Sequence, residues 1–490
     1  MRIAIIGTGF AAFGAVTALI RDSGNELHVF DIGLTKKLTD KPEKSVLNAK
    51  TYKGSFFTYG VNDDRWCVKL DSSRICSSHA LGGHSTVYSG AILYPKGDDL
   101  AEWPEKSRPQ ASDYKSVIEK FDILRECDML DSEFPSVPSE FNLALQNKKN
   151  TQAVYLGLSR LAVAKTKPGQ DGNPCIFKTT EYFENLKRNK KINYKSNCYV
   201  IKISKNAGRL RMQLQVAPNH FEWTEDFDSV FIGAGCINTT GIVDRSLFEK
   251  GSREYKIKSV GFIIGAFLRT KIKIDSGHAL RRKHNFPEFF LEINSSQTRQ
   301  TWSHTQITAI NEQIISAIDS KIPFFKGFLS QIVRNIFYFS LTCVHSRHSP
   351  RIPMCCKTHG PCNYSISIHE LNLSRDFTDF RKAMIAGVRE HWERLRMLSF
   401  PFGGQFANLF RGNNLGGWHF GGTLPMSDSP GIGQCKSSGE VFELDGTYII
   451  DSAAFPEIPG STIALLTSAH AHRVASNWMN KQKDENKYAN

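Results

Sequence analysis

The chain begins with two short apolar runs on either side of a glycine-containing turn and an apolar helix. Residues 2–6 are mostly β-branched and apolar, the pattern of a strand that is buried on both faces. The turn Gly7-Thr8-Gly9 follows, and residues 10–20 are compatible with a helix that is apolar nearly all round. Residues 27–30 then predict a second strand that ends at Asp31. This order predicts a strand–helix–strand unit of a parallel sheet.

Four more segments stand out along the chain. Residues 36–53 are polar and rich in lysine, which is typical of a surface excursion, whereas residues 76–94 are rich in glycine and serine but too apolar for a solvated linker. Residues 230–232 predict another strand, which leads into the turn Gly233-Ala234-Gly235. Between 374 and 398 apolar residues recur at helical spacing opposite a basic face, which predicts an amphipathic helix.

The composition is that of a globular protein. Of the 490 residues, 40% are hydrophobic and 22% are charged, which excludes a disordered chain, a collagen and a coiled coil. The length exceeds that of one compact core and favours about three domains. The net charge of +14 at pH 7 indicates either an attraction to phosphates, acidic lipids or anionic substrates, or a basic solvated surface. We expect no nucleic-acid partner.

The eleven cysteines are odd in number and irregularly spaced, which argues against a disulfide framework. The densest group contains Cys355, Cys356 and Cys362, with His359 between them, and these residue types can bind a metal. The group has no CxxC pair, and no second cluster complements it. We therefore interpret it as a reduced loop with free thiols and expect no metal site.

The sequence predicts neither a secretion signal nor a membrane-spanning helix. The N-terminal apolar run is too short for a signal peptide. The best candidate span, residues 324–344, is interrupted by Lys326 and Arg334, whereas a spanning helix needs about 18 apolar residues. Residues 324–351 form either an interfacial helix at a membrane surface or, as we favour, a core helix followed by a strand. We expect a cytoplasmic protein.

The N-terminal turn is a GxGxxA version of the dinucleotide-binding motif, with the sequence Gly7-Thr8-Gly9-Phe10-Ala11-Ala12. Gly7 permits the tight turn, Gly9 lets the backbone approach a pyrophosphate, and Ala12 is small enough for helix–strand packing. The phosphates would bind at the positive end of the following helix. Asp31 lies 24 residues after Gly7 and can accept hydrogen bonds from the ribose of an adenosine moiety. The motif does not distinguish FAD from NAD.

Three further segments resemble parts of a known family. The first is the loop Leu81-Gly82-Gly83-His84-Ser85-Thr86-Val87-Tyr88-Ser89-Gly90, and the second is the strand and turn at 230–235. The third comprises Trp418-His419-Phe420-Gly421-Gly422-Thr423, residues 448–456 with Asp451 at the end of an apolar strand, and Ser461-Thr462-Ile463. Together with the N-terminal turn, these segments resemble the glucose–methanol–choline (GMC) oxidoreductases. The stretch from Gly82 through Leu100, Trp103 and Pro104, with Val344-His345-Ser346, most resembles GMC-like proteins associated with bacterial polysaccharide biosynthesis.

The resemblance implies an α/β fold with a discontinuous, Rossmann-like FAD-binding domain. A second, α+β domain, built on an antiparallel sheet, would bind the substrate. We expect residues 1–104, 191–250 and 411–480 in the FAD-binding domain, and residues 105–190 and 251–410 in the substrate domain. Residues 481–490 would form a frayed polar tail.

The resemblance also implies FAD as the cofactor and a set of residues around it. Small residues at 82–90 would allow backbone contact with the flavin ring, and Asp451 would accept hydrogen bonds from ribityl hydroxyls or merely cap the strand end. Ser461 and Thr462 are N-cap residue types and would open a helix whose dipole stabilises anionic reduced flavin. The expected cofactor residues are Gly7, Gly9, Phe10, Ala11, Ala12, Asp31, Gly82, Gly83, Ser85, Thr86, Val200, Gly235, Asp451, Ser461, Thr462 and Ile463.

His419 lies in a loop of aromatic residues and glycines, where a histidine is more often structural, but the resemblance implies that it is the catalytic base. Oxidation of an alcohol by a flavin needs a base for the hydroxyl proton, and histidine titrates near neutral pH. The family usually has a second histidine or an asparagine at the start of the last helix, where this chain has Thr462. A threonine hydroxyl can only donate or accept a hydrogen bond, so we assign Thr462 a contact with the substrate oxygen. His470 and His472 lie further along the helix, and we expect them to be surface or packing residues.

The resulting hypothesis is an FAD-dependent oxidoreductase that oxidises a hydroxyl group of a carbohydrate or polyol by hydride transfer to flavin N5. Its electron acceptor would be oxygen, a quinone or a protein. Two alternatives are a flavoprotein reductase or isomerase and a catalytically silent FAD-binding protein, for which Thr462 is the best evidence.

Overall fold

The computed structural model describes fifteen stretches of the chain, in which we number five α-helices and 23 β-strands in chain order. The described residues are 1–33, 67–71, 77–86, 88, 90–121, 154–158, 161–168, 174–268, 289–294, 301–310, 337–349, 351–360, 363–368, 398–400 and 419–489. The surface excursion predicted at 36–53 lies outside them. So does the helix predicted at 374–398, apart from Leu398, which begins a strand.

Five parallel strands form the sheet that the N-terminal pattern predicts. Their order is β23 (Thr447–Ile449), β11 (Ser229–Ile232), β1 (Arg2–Ile6), β2 (Glu26–Phe30) and β7 (Asn193–Lys195). The central position of β1 explains its apolar run, because Ile3, Ala4 and Ile5 are completely buried. The strands predicted at 2–6, 27–30 and 230–232 are confirmed.

Helix α1 (Phe10–Leu19) connects β1 to β2 and packs against the C-terminal helix α5 (Ala464–Ala489). Every residue of α1 from Ala11 to Leu19 is buried, which explains why the helix is apolar on all sides. The two helices touch at Gly14, where a Cβ would clash with the carbonyl oxygen of Ser468. The Ser468 hydroxyl also donates a hydrogen bond of 2.9 Å to the Phe10 carbonyl.

The other helices are α2 (Ala111–Ile118), α3 (Thr179–Arg188) and α4 (Cys236–Leu247). Helix α2 falls within the expected first part of the substrate domain, yet it packs against α5, where Asp113 lies 2.9 Å from the ring nitrogen of His472. His470 and His472 are both buried, so they are packing residues rather than surface ones. The expected domain boundaries stay a prediction.

The second large sheet has six antiparallel strands. Their order is β19 (Leu398–Phe400), β13 (Gly261–Leu268), β16 (Phe337–Val344), β15 (Trp302–Ala309), β14 (Phe289–Asn294) and β4 (Val154–Leu158). All six come from stretches that we expected in the substrate domain, and the expected antiparallel sheet is therefore present.

The remaining strands form one mixed sheet and three small ones. The mixed sheet runs β20 (Phe420–Gly421), β12 (Gly251–Ser259), β17 (Ile352–Gly360), β18 (Asn363–Ile368) and β3 (Val68–Asp71), and only its β18–β3 pair is parallel. The first small sheet has three strands, in the order β10 (His220–Trp223), β9 (Arg209–Ala217) and β8 (Tyr199–Asn206). The other two have two strands each: β21 (Met426–Ser427) pairs with β22 (Cys435–Lys436), and β5 (Val163–Pro168) pairs with β6 (Pro174–Ile176).

The predicted cysteine loop is wrong, because Cys355 and Cys356 lie in strand β17, opposite Glu254 and Arg253 of β12. Both thiols are buried, and Cys362 lies outside the described residues. The cysteines with described side chains, which are Cys67, Cys198, Cys236, Cys343, Cys355, Cys356 and Cys435, are free of disulfides. Within the described stretches, His, Cys, Asp and Glu side chains form no group of three that could hold a metal.

The predicted frayed tail is also wrong, because helix α5 continues to Ala489. Contacts one turn apart stabilise this polar end: Lys481 lies 3.7 Å from Glu485, and Gln482 donates to Glu485 at 3.0 Å. For residues 324–351, strand β16 confirms the strand that we predicted after a core helix, and the residues before Phe337 lie outside the description. None of the helices in the described part is long and apolar enough to span a bilayer.

Candidate active site

A cavity of about 360 Å³ lies at the carboxyl end of the parallel sheet. Its wall contains residues that directly follow four of the five parallel strands: Gly7 after β1, Asp31 after β2, Gly233 after β11 and Asp451 shortly after β23. The wall also includes Gln306 of β15 and Leu341 of β16. Ligands of open parallel sheets bind at this edge, and the cavity has the size of a small-molecule site.

The two glycines of the N-terminal turn have different roles. Gly7 has a φ of +98°, and a Cβ on it would clash with the carbonyl oxygen of Gly233. Gly9 is the N-cap residue of α1. A Cβ on Gly9 would meet no atom of the described residues within 4 Å. Gly7 is therefore required by the fold, whereas Gly9 leaves space in the cavity next to the free N–H groups of α1.

Thr8, between these glycines, links the turn to its surroundings. Its hydroxyl donates a hydrogen bond to the Asp31 carboxylate and accepts one from the Gly82 N–H at 2.8 Å. Its carbonyl accepts a hydrogen bond of 2.7 Å from the Thr179 hydroxyl. The sequence analysis gave Thr8 no role, although the residue lies inside the motif. These contacts fix the turn, the acid and the glycine-rich loop relative to one another.

The glycine-rich loop forms a short 3-10 helix, Gly83–Thr86. The Ser85 hydroxyl donates to the Gly82 carbonyl at 2.7 Å, and the Thr86 hydroxyl donates to the Gly83 carbonyl at 2.7 Å. Gly83 lines the cavity, but Gly82, Ser85 and Thr86 do not. The two hydroxyls therefore stabilise the loop, and the loop presents other atoms to the cavity.

Two carboxylates on the cavity wall have raised pKa values. Burial raises the pKa of Asp31 to about 7, although hydrogen bonds from Thr8 and from the backbone of Gly33 and Ile32 act in the opposite direction. Burial likewise raises the pKa of Asp451 to about 6, against hydrogen bonds from Thr239, Ala453 and Gly235. Each carboxylate would be stabilised in its charged form by further hydrogen-bond donors from a ligand.

Asp451 holds the beginning of helix α4. Its carboxylate accepts hydrogen bonds from the Gly235 N–H at 2.8 Å, the Thr239 hydroxyl at 2.5 Å and the Ala453 N–H at 2.9 Å. Gly235 has a φ of +82°, which favours glycine. A carboxylate has about four acceptor positions, so Asp451 can accept one more hydrogen bond from a ligand in addition to its structural role.

His419 and Thr462 both line the cavity, although they are far apart in the sequence. His419 directly precedes β20, and its carbonyl accepts a hydrogen bond of 3.0 Å from the Val260 N–H. Thr462 is only 7% exposed. Its hydroxyl oxygen has no hydrogen-bond partner among the residues that the structure describes. A buried hydroxyl without a partner costs free energy, which favours a ligand group at this position.

Ser461 and Thr462 do not cap helix α5. The helix begins at Ala464, and the Ile463 carbonyl accepts the first helical hydrogen bond, from the Thr467 N–H at 2.8 Å. Ile463 is therefore the N-cap residue, and it lines the cavity together with Thr462. The preceding Gly460 is held to β15, where its carbonyl accepts a hydrogen bond of 2.9 Å from the His304 N–H. This contact delays the start of the helix.

The cavity brings together most of the residues that the sequence analysis selected. On its wall are Gly7, Gly9, Phe10, Ala11, Asp31, Gly83, Val200, Gly235, His419, Asp451, Thr462 and Ile463. Ala12, Gly82, Ser85, Thr86 and Ser461 do not line it. The sequence analysis missed Thr8, Ser77, Ser78, His84, Tyr88, Tyr199, Asn238, Gln306 and Leu341, which do. His84 and Tyr88 lie in a loop that the sequence singled out, whereas Gln306 and Leu341 lie in strands without a local motif.

The comparisons with known proteins concern the C-terminal part and the whole fold. Residues 363–471 match the family model described as GMC oxidoreductase, C-terminal. The crystal structure of pyridoxine 4-oxidase from Mesorbium loti is similar, with a TM-score of 0.60, 11% identity and coverage of 98% of this chain and 99% of that one. An FAD-dependent oxidoreductase from Chaetomium thermophilum gives a TM-score of 0.60, 12% identity and the same coverage. A search of curated sequences finds no match.

These findings support the resemblance that the motifs indicated. The family match covers His419, Asp451 and Thr462, which all line the cavity. The structural likeness extends over almost the whole chain, including the N-terminal turn. The chain therefore has the fold of these two oxidoreductases, and its C-terminal part matches the GMC oxidoreductases, which supports FAD as the cofactor.

Proposed function

We propose that this protein is an FAD-dependent oxidoreductase that oxidises a hydroxyl group of a carbohydrate or polyol. The observation that carries the proposal is the shared cavity, whose wall contains the dinucleotide turn and Asp31 as well as His419 and Thr462. A cofactor that reaches from an adenosine site to a redox site needs this arrangement.

The parallel sheet would act as a Rossmann-like FAD-binding domain. Gly9 leaves room for the pyrophosphate at the N-terminus of α1, and the Asp31 carboxylate would accept hydrogen bonds from the ribose hydroxyls. Val200 and Asp451 would contact other parts of the cofactor. Helix α5 begins at the cavity wall with Ile463 and Ala464, and the positive end of a helix favours negative charge on a flavin.

Bound FAD would supply a hydride acceptor at flavin N5. The protein must then remove the proton of the substrate hydroxyl while the C–H bond breaks, so that the C–OH group becomes a carbonyl. His419 is the residue we assign to this proton, because an imidazole is a base near neutral pH. The Thr462 hydroxyl would donate a hydrogen bond to the same substrate oxygen and position it.

The substrate class rests on the chemistry of the catalytic wall and on the sequence resemblance. Gln306, Thr462 and His419 offer hydrogen bonds there, and Leu341 is apolar. These side chains suit a hydroxylated substrate without formal charge. The resemblance of the 82–104 stretch to GMC-like proteins of bacterial polysaccharide biosynthesis favours a sugar in that setting.

An anaerobic flavin-reduction screen tests the proposal. The FAD-loaded protein is mixed with monosaccharides, sugar alcohols, simple alcohols, pyridoxine and NAD(P)H, and bleaching of the flavin absorbance is followed. We expect bleaching by one or more sugars or polyols. Bleaching by pyridoxine or simple alcohols alone would contradict the substrate class. Bleaching by NAD(P)H alone would favour a reductase, and bleaching by dithionite alone would favour a silent FAD-binding protein.

A further inference from the structure

The cavity has few groups that can balance the charge of a pyrophosphate. Its described lining contains two carboxylates, Asp31 and Asp451, and neither a lysine nor an arginine, although the chain has 62 such residues. Two histidines, His84 and His419, are the lining side chains that can become cationic. A doubly anionic pyrophosphate at the N-terminus of α1 would otherwise be stabilised mainly by backbone N–H groups and the helix dipole.

Of these two histidines, His84 is the one beside the phosphate turn. It follows Gly83 in the 3-10 helix, and a Cβ on Gly83 would lie 3.5 Å from the Gly9 Cα. The neighbouring Gly82 N–H donates to the Thr8 hydroxyl at 2.8 Å. His419, in contrast, is attached to Val260 between strands β12 and β13. His84 is therefore placed to meet a group bound at Gly9.

We infer that His84 binds the pyrophosphate of FAD and takes up a proton from solvent when the cofactor binds. The inference rests on the proposed function only in requiring that FAD binds in this cavity. It assigns a role to a residue that the sequence motif leaves without one.

The electrostatic surroundings support this proton uptake. Burial lowers the pKa of His84 to about 4, so the imidazole is neutral in the protein without cofactor. Helix α1, which packs against the loop, has no ionisable side chain. Helix α3, on the other side, has the exposed Glu181 and Glu184, the ring of Tyr182, and Lys187 and Arg188 in its last turn. A dianionic pyrophosphate bound at Gly9 would lie next to His84 and would raise its pKa.

At Asp31, FAD binding should change the protonation in the opposite direction. Its pKa is about 7 without a ligand, and hydrogen bonds from the ribose hydroxyls would lower it, so that FAD binding releases a proton from Asp31 below about pH 7. In the wild type, uptake at His84 and release at Asp31 would largely cancel between about pH 5 and 7. Removing either group should reveal the other.

The test measures the affinity of the apoprotein for FAD between about pH 5 and 7 in the wild type, His84→Asn and Asp31→Asn. We expect a nearly flat profile for the wild type. His84→Asn should bind FAD more tightly as the pH rises, and Asp31→Asn should bind it more weakly as the pH rises, by at most about tenfold per pH unit in each case. Calorimetry in buffers of different ionisation enthalpy counts the protons directly. A flat profile for Asp31→Asn, or a wild-type profile that rises with pH as steeply as that of His84→Asn, would overturn the inference.

Ligands without flavin separate the pyrophosphate from the rest of the cofactor. Near pH 6, His84→Asn should weaken FAD and ADP binding by about tenfold or more, because a hydrogen bond to a charged group is lost. Adenosine binding should stay unchanged, which also shows that the cavity is folded. An equal loss for ADP and adenosine would mean a structural role and contradict the inference. A wild type that binds neither FAD nor ADP would overturn the proposed function and this inference with it.

Discussion

The cavity wall has two parts that we propose to bind the nucleotide (the nucleotide end) and to carry out the reaction (the catalytic end), and these parts are built in different ways. At the nucleotide end, Gly7, Thr8, Gly9 and Asp31 come from one short stretch of chain, and one hydrogen-bonded side chain, Thr8, connects them to the Gly82 loop. At the catalytic end, His419 and Thr462 line the same cavity as Gln306 and Leu341, which come from a different sheet. The nucleotide end depends on backbone shape, whereas the catalytic end depends on side chains that only the tertiary structure brings together.

This difference predicts opposite kinds of mutational effect. A change in backbone shape at the nucleotide end should decide whether the cofactor binds at all. A change of side chain at the catalytic end should alter a rate while the cofactor stays bound. The variants below test this division, starting with the largest expected effect.

Gly9→Val should abolish FAD retention without unfolding the protein. A Cβ at this position meets no described atom within 4 Å, so we expect valine to fit the protein without cofactor and to fill the space for the pyrophosphate. Flavin absorbance after gel filtration measures retention, and a thermal melt of the apoprotein measures stability. A yellow Gly9→Val protein would mean that the phosphates bind elsewhere.

Gly7→Ala is the matched control for the same turn. Its φ of +98° and the clash with the Gly233 carbonyl oxygen should destabilise the fold itself, by about 1–3 kcal/mol or more. The apoprotein of Gly7→Ala should therefore melt at a lower temperature than that of Gly9→Val. Equal melting temperatures would contradict the assignment of Gly7 to the stability of the fold and of Gly9 to cofactor binding.

His419→Ala should leave FAD bound and slow substrate-dependent flavin reduction. Loss of a positioned base costs roughly 10²–10⁴-fold in rate. The measurement is the anaerobic reduction rate per bound FAD, with the flavin spectrum as the control for an intact site. Reduction at the wild-type rate would show that His419 is a packing residue rather than the base.

The nucleotide end was the easier part to predict from the sequence. The strand, the glycine spacing and the acid at 31 are all local, so the pattern alone identified the turn and its sheet. The prediction was less complete for the side chains around it. Ser85 and Thr86 were expected at the flavin, but their hydroxyls bind the loop's own carbonyls and lie off the cavity wall, which depends on how the loop folds.

The catalytic end was predicted only where a family resemblance supplied the residues. Gln306 and Leu341 lie in strands that look like any alternating strand, and no local pattern indicates which face meets the cavity. The start of α5 was also misplaced, because Ser461 and Thr462 are typical capping residues. The contact between Gly460 and β15, which moves the helix start to Ile463, comes from more than a hundred residues away in the chain.

Asp451→Asn should mainly reduce stability, because the Asp451 carboxylate holds the beginning of helix α4. The replacement turns one acceptor oxygen into an amide donor that faces the Gly235 N–H and the Thr239 hydroxyl, or the Ala453 N–H. We expect a loss of about 1–3 kcal/mol in the free energy of unfolding, measured by denaturant titration of the apoprotein. An unchanged stability would mean that Asp451 is available mainly to the ligand.

Thr462→Val gives the smallest expected effect and the sharpest test of the catalytic end. Valine has nearly the same shape, and the Thr462 hydroxyl has no hydrogen-bond partner among the described residues, so the apoprotein should be as stable as the wild type or slightly more stable. If the hydroxyl donates to the substrate oxygen, flavin reduction per bound FAD should slow by about 1–2 kcal/mol of activation free energy, or roughly five- to thirtyfold. Thr462→Ser, which keeps the hydroxyl, should retain most of the rate. A Thr462→Val protein that is destabilised but reduces its flavin at the wild-type rate would place Thr462 in the framework instead. The position would then contribute nothing to the chemistry that we assign to His419.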